Sequence, residues 1–194
     1  MLLALVCSLL AASRTTSASD LQVPMLTVCP ESHNVTVFDV TATSQPGSNM
    51  LNVSFHIDVI VSLKTYPTLE VAMTEEGMES LIPCVEDVGS CLYHLCDGNS
   101  TMEMELTKAW SNTCPIPPGK YFVNMTLDLM KNKYLTSGNA NKIFKYMFED
   151  GGNVTGCVSF PVYIPTTAGS SAMALPTLHA LWMLTISLFS LRFW

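Results

Sequence analysis

The sequence predicts an all-β sandwich, on three observations. From Leu51 to Leu63 every odd position is apolar (Leu51, Val53, Phe55, Ile57, Val59, Val61, Leu63), and the even positions are polar except Ile60. Period two marks a strand with one dry face and one wet face. The same alternation returns at Leu69, Val71 and Met73, and again at Val123, Met125, Leu127 and Leu129. Seven or eight runs of this kind, separated by turn signals and with no convincing amphipathic helix between them, read as two packed sheets. A wall this regular needs a second apolar wall facing it.

In chain order, Val35 to Val40 is the first strand, after Cys29 and Pro30, and Gln45-Pro-Gly-Ser48 is a turn. Leu51 to Leu63 and Leu69 to Met73 read as an antiparallel pair joined at Tyr66 and Pro67. A cysteine-rich segment runs from Leu81 to Cys96. Met102, Met104 and Leu106 alternate with Glu103 and Glu105, which predicts another strand. Cys114-Pro-Ile-Pro-Pro-Gly-Lys-Tyr121 is a rigid entry to the strand Tyr121 to Leu129. Lys131 to Asn141 is polar and loop-like. Ile143 to Phe148 is a strand, Asp150-Gly-Gly-Asn153 a turn, and Val154 to Ile164 the last strand.

Both ends read as processing signals. Met1 to Ala12 is apolar, and Ser17 and Ser19 stand at the −3 and −1 positions of a cleavage before Asp20, so residues 1–19 are expected to be a secretory signal peptide. At the other end, small residues at Gly169, Ser170 and Ser171 precede a spacer and a terminal apolar run. That order is the signal for a glycosylphosphatidylinositol (GPI) anchor on one of those three residues; a C-terminal membrane segment over 169–194 is the alternative. One domain is left, residues 20–168, long enough to bury a core. The full chain has a net charge of −7, and loss of Arg14 and Arg192 would make the remainder more acidic, which argues against nucleic acid as a partner.

With Cys7 in the leader, six of the seven cysteines remain: Cys29, Cys84, Cys91, Cys96, Cys114 and Cys157. An even number in a secreted chain implies three disulfides, with 15 possible pairings. The spacing lacks the paired knuckles of a zinc site, and no metal is expected. Sequons at Asn34, Asn52, Asn99, Asn124 and Asn153 point to the same compartment. Asn52 and Asn124 fall on the wet faces of their strands, leaving the dry faces for the interior.

Catalysis is not expected. There is no G-x-S-x-G elbow, and Glu75, Glu76, Glu86 and Asp87 read as a solvated acidic face rather than a glycosidase pair. No cofactor is indicated. From Thr65 to Thr107 there are nine acidic residues and no Lys or Arg, whereas four lysines lie between Lys131 and Lys145. Lys131, Lys133, Tyr134 and Leu135 are therefore candidates for a rim that touches a membrane surface, with lysines on anionic headgroups and Tyr134 and Leu135 in the interface. An ordinary polar hairpin loop is the plain alternative.

Four motifs carry a resemblance. Ile82-Pro-Cys-Val-Glu-Asp-Val-Gly-Ser-Cys91 followed by Cys96-Asp97, then Cys114-Pro-Ile-Pro-Pro-Gly-Lys-Tyr121, Tyr134-Leu-Thr-Ser-Gly-Asn139 and Gly156-Cys157-Val158 occur in this order. From about Cys29 to Ile164 the chain resembles the ML lipid-recognition domain family, nearest its ganglioside GM2 activator branch, and is similar to Niemann–Pick type C2-like sterol carriers. The resemblance implies an immunoglobulin-like β-sandwich opened into a lipid-binding cup, and the pairing Cys29–Cys157, Cys84–Cys91 and Cys96–Cys114. Two departures stand out: the activator's fourth disulfide has no counterpart in Lys108 to Thr113, and Tyr134 replaces its membrane-facing Trp.

Periodicity alone would make the dry-face residues plain core. The resemblance makes them cup lining: Phe55, Ile57, Val59, Val61, Leu69, Val71, Met73, Met104, Val123, Met125, Leu127 and Leu129. Methionines suit a wall that accommodates varied acyl chains. The function expected is that of a lipid-binding or lipid-transfer protein. It would hold one glycolipid, phospholipid or sterol and offer it to a glycosidase or receptor. Its place would be extracellular, at the cell surface, or in the lysosomal lumen. The alternative is a GPI-anchored, immunoglobulin-like adhesion or receptor ectodomain with a filled core.

Overall fold

The computed structural model describes residues 20–30, 34–44 and 48–165. The leader with Cys7, the turn at 45–47 and the anchor candidates Gly169, Ser170 and Ser171 lie outside the described residues. The strands are β1 (Asp20–Gln22), β2 (Thr27–Val28), β3 (Val35–Ser44), β4 (Met50–Val59), β5 (Thr68–Glu75), β6 (Cys91–His94), β7 (Gly119–Asp128), β8 (Asn141–Asp150) and β9 (Asn153–Tyr163), with one helix, α1 (Thr101–Thr107). They form two antiparallel sheets, β1-β3-β4-β7 and β2-β9-β8-β5-β6, packed face to face. The fold is an all-β sandwich.

The alternation in the sequence becomes the inner face of each sheet. Leu51, Val53, Phe55, Ile57 and Val59 of β4 face inward beside Leu127, Met125, Val123 and Tyr121 of β7. Opposite them stand Leu69, Val71 and Met73 of β5, Phe144, Tyr146 and Phe148 of β8, and Val158, Phe160 and Val162 of β9. The Asp150-Gly-Gly-Asn153 turn closes the β8–β9 hairpin, with Gly151 at φ +60° and Gly152 at φ +77°. Two successive positive φ values are what the tight hairpin turn requires.

Three expectations are corrected. First, β4 and β5 are not a pair: they belong to different sheets, and residues 60–67 cross between them. The alternation outruns the strand because Val59 is the last residue with neighbours on both sides, Val35 and Gly119. Val61 is consequently 51% exposed and not in a wall, and Leu63 re-enters only as a bridge to Ile116. Second, Met102 to Leu106 is helical. Ser100 caps the Glu103 N–H while the Glu103 carboxylate accepts from the Ser100 N–H, a reciprocal capping box. Met102 and Leu106, one turn apart, point inward, and Met104 is 51% exposed. Third, β3 extends through a bulge at Phe38–Thr41 to Ser44.

The sandwich closes differently at its two sides. At one, the chain from β1 to β2 passes from the first sheet to the second, and Cys29–Cys157 ties β2's end to β9. Here the backbones nearly touch: a Cβ on Gly156 would lie 2.6 Å from the Val35 carbonyl oxygen. At the other side, β7 and β6 are the outer strands of different sheets, and α1 lies between them.

Candidate functional site

Ten of the twelve candidate lining residues stand between the sheets and are buried: Phe55, Ile57, Val59, Leu69, Val71, Met73, Val123, Met125, Leu127 and Leu129. Val61 and Met104 do not join them. The space they enclose is occupied by aromatic side chains that sequence reasoning did not single out. Phe55 meets Tyr146 across the interior edge to face, with centroids 5.2 Å apart. Tyr146 in turn meets Phe160 at 5.1 Å, and Phe144 meets Phe160 at 5.9 Å. Such pairs contribute about 1 kcal/mol each beyond area burial. Burial pushes the Tyr146 and Tyr93 phenols well above their ordinary range. Tyr93 donates to the Asp87 carbonyl at 2.9 Å, whereas the Tyr146 hydroxyl has no partner among the described residues.

The β6–β7 side is sealed by a strap between the bridged Cys96 and Cys114, 18 positions apart. Met102, Leu106 and Trp110 recur every four residues along it and project into the core. Trp110 meets Tyr121 of β7 edge to face at 6.1 Å, and its Nε1 is buried without a partner among the described residues. Glu103 anchors the strap. Burial raises its pKa, but N–H donors from Ser100 (2.8 Å), His94 (2.7 Å) and Asn99 (2.7 Å) outweigh burial and hold the carboxyl below its usual range. The signal for this strap, Ser100-x-x-Glu103, is in the sequence as a capping-box spacing.

The loop after β7 forms one pole of the sandwich. Asn132 is buried and donates through Nδ2 to the carbonyls of Pro83 (2.7 Å) and Val88 (2.8 Å), which pins the loop to the segment before β6. Lys142 is fully buried, its Nζ 3.1 Å from Glu75 Oε1 and 2.9 Å from the Ser137 carbonyl. The Lys142 hydrogen bond, with the Asn139 N–H, lowers the Glu75 pKa. So one of the four lysines is an interior strut and not a rim charge. Leu135, expected in the membrane interface, is buried beneath the loop. Tyr134 and Met130 are exposed at this pole, Lys133 lies 5.4 Å from the Tyr134 ring centroid, and Lys131 lies 3.9 Å from Glu86.

The three bridges are Cys29–Cys157, Cys84–Cys91 and Cys96–Cys114, the pairing the resemblance implies. The sequon residues Asn34, Asn99, Asn124 and Asn153 are exposed, and Asn52 is half-buried on the outer face of β4. Among the described residues no group of His, Cys, Asp or Glu side chains is placed to hold a metal ion, and no helix is long and apolar enough to cross a membrane. No family model matches the chain, and no curated protein does.

Proposed function

We propose that the chain binds one lipid between its sheets, in the manner of the ML lipid-recognition proteins it resembles. It would present the headgroup at the Met130–Tyr134 pole, where an enzyme or receptor at a membrane surface could collect it. The observation that carries this reading is the unequal closure of the sandwich. One side is welded backbone to backbone, and the other is stopped only by the side chains of a strap. A hydrocarbon chain can take the place of Met102, Leu106 and Trp110 without breaking a strand ladder. Burying acyl chain would supply about 0.8 kcal/mol per CH₂.

The donors Tyr146 Oη and Trp110 Nε1, unpartnered among the described residues, support the same reading, since a buried donor without a partner costs about 1–3 kcal/mol that a bound polar group would recover. The disulfide pairing agrees with the family resemblance, and three disulfides suit a secretory route. Cell-surface attachment through Gly169, Ser170 or Ser171 belongs to the proposal.

A second reading, an adhesion or receptor ectodomain with a filled core, is favoured by the direct Phe55–Tyr146 contact across the interior. Native mass spectrometry of the secreted, deglycosylated protein separates the two. A stoichiometric lipid adduct, identified after extraction, is expected. A bare protein mass with no uptake from glycolipid or sterol vesicles would favour the filled core.

A further inference from the structure

The wet face of the β1-β3-β4-β7 sheet carries an aromatic row. Phe38, His56 and Phe122 are cross-strand neighbours on β3, β4 and β7. Phe38 and His56 stack at 5.3 Å between centroids, and His56 and Phe122 meet at 5.2 Å. Lys120 Nζ sits 5.7 Å from the Phe38 centroid, and Asp39 flanks His56 Nδ1 at 3.8 Å. Phe122, at the end of the row, is 56% exposed. An apolar ring left half in water on a face otherwise lined mostly by polar and charged side chains, Ser54, Asn124, Thr126, Asp58 and Lys120 among them, loses stabilisation that a cover would restore.

Period two sets Phe122, Asn124 and Thr126 in line on that face. Asn124 and Thr126 are the two recognition positions of an N-glycosylation sequon. Asn124 Oδ1 accepts from Ser54 Oγ at 2.8 Å, and Thr126 Oγ1 donates to Asn52 Oδ1 at 2.8 Å. Both bonds use the amide oxygen, and neither Asn Nδ2 has a partner among the described residues. N-glycosylation consumes only Nδ2, so the Ser54 bond survives and holds the amide that bears the sugar. Alternate residues on a strand are about 7 Å apart, a span that the linkage and one pyranose ring cover. Asn52, on the next strand, has Met50 and Ser54 at the equivalent positions and no ring to meet.

The geometry points to an N-glycan on Asn124 whose first N-acetylglucosamine lies with its apolar C–H face on Phe122, so that the Phe38–His56–Phe122 row is the seat of the chain's own sugar. In its attachment the anomeric carbon of a lipid-diphosphate-linked oligosaccharide bonds to Asn124 Nδ2, Nδ2 loses one proton, and the lipid diphosphate leaves. This assignment uses only the outer face and is independent of what the interior binds. It also removes the row from consideration as a docking surface for a protein.

The test uses the full chain from a secretory host, trimmed enzymatically to one N-acetylglucosamine per site. Glycopeptide mass spectrometry should find Asn124 occupied, and an unoccupied Asn124 would overturn the proposal. Proton spectra of the wild-type protein should show the Asn124 sugar shifted upfield by the ring current of Phe122, with the Asn52 sugar as internal control. Unshifted Asn124 resonances would also overturn it, and this measurement requires no variant to fold. Asn124→Gln should lower Tm by a few degrees in the wild-type background and by much less in Phe122→Ser.

Discussion

The two sides of the sandwich solve the same problem with different materials. At the β3–β9 side, backbone meets backbone: Gly156 lies against Val35 and the Asn34 N–H bonds the Thr155 carbonyl at 3.0 Å, while Cys29–Cys157 locks the ends and the Gln22 side-chain amide exchanges two hydrogen bonds with the Tyr163 main chain at 2.7 and 2.8 Å. At the β6–β7 side, one helical strap fills the gap with three apolar side chains. A backbone weld opens only with global unfolding, whereas a side-chain stopper can part locally at a fraction of that free energy. The difference places any route into the interior on the strap side.

The comparison can be broken most forcefully at the weld. Replacing Cys29 and Cys157 together by Ala opens a loop with a sequence separation of 128, and the loop-entropy account gives a loss of about 5 kcal/mol, read by urea unfolding. A loss no larger than that from opening Cys96–Cys114, about 3 kcal/mol on the same account, would erase the distinction between the sides. Trp110→Ala is next. It should cost about 3–4 kcal/mol as a core truncation and, if the strap is the door, accelerate lipid uptake from vesicles. Uptake unchanged in a folded Trp110→Ala protein would close that door.

A smaller effect, about 2 kcal/mol at neutral pH, is expected for Glu103→Gln, which loses the charge that three backbone N–H groups address. The sign follows from the lowered pKa. A carboxylate depressed in the folded state stabilises above its unfolded value, near 4.3, and that contribution disappears as pH falls through the lower folded value. The deficit of Glu103→Gln should therefore shrink on acidification below about pH 4 in a series of urea titrations. A deficit independent of pH would mean that Glu103 acts by packing alone. The smallest change in stability, within about 0.5 kcal/mol, is expected for exposed Tyr134→Ser, together with weaker binding to anionic vesicles. Vesicle binding equal to wild type would remove the pole as the membrane contact.

Sequence reasoning reached the walls and missed what lies between and beside them. Phe55 and Met125 were legible because burial imposes period two wherever one sheet face is dry. Tyr146 and Phe160 were readable as strand residues but not as a plug, since alternation reports the face and not whether the facing side chains meet. Met102 and Leu106 sit on one face whether the segment is a strand or a helix, because a separation of four satisfies both periods. Only Met104 distinguishes them, and it is exposed. Val61 failed for a different reason: alternation continues past the point where neighbouring strands end, and pairing is not written in the alternating strand itself. Leu135 and Lys142 were misplaced because charge and polarity along a loop do not reveal which residues anchor it from beneath.

The clasp between Gln22 and Tyr163 has an orientational consequence. It brings the first and last strands side by side, and the Ile164 N–H, just beyond, bonds the Ala140 carbonyl at 2.8 Å at the end of the Tyr134 loop. Whatever is joined to either end of the domain, whether a tag, a surface or a lipid, therefore attaches at the pole that displays Met130 and Tyr134. The opposite pole, where Asp150 binds the Lys64 and Thr65 N–H groups, becomes the far tip. Tethered this way, the molecule would stand head-down, with Tyr134 facing the surface that holds it.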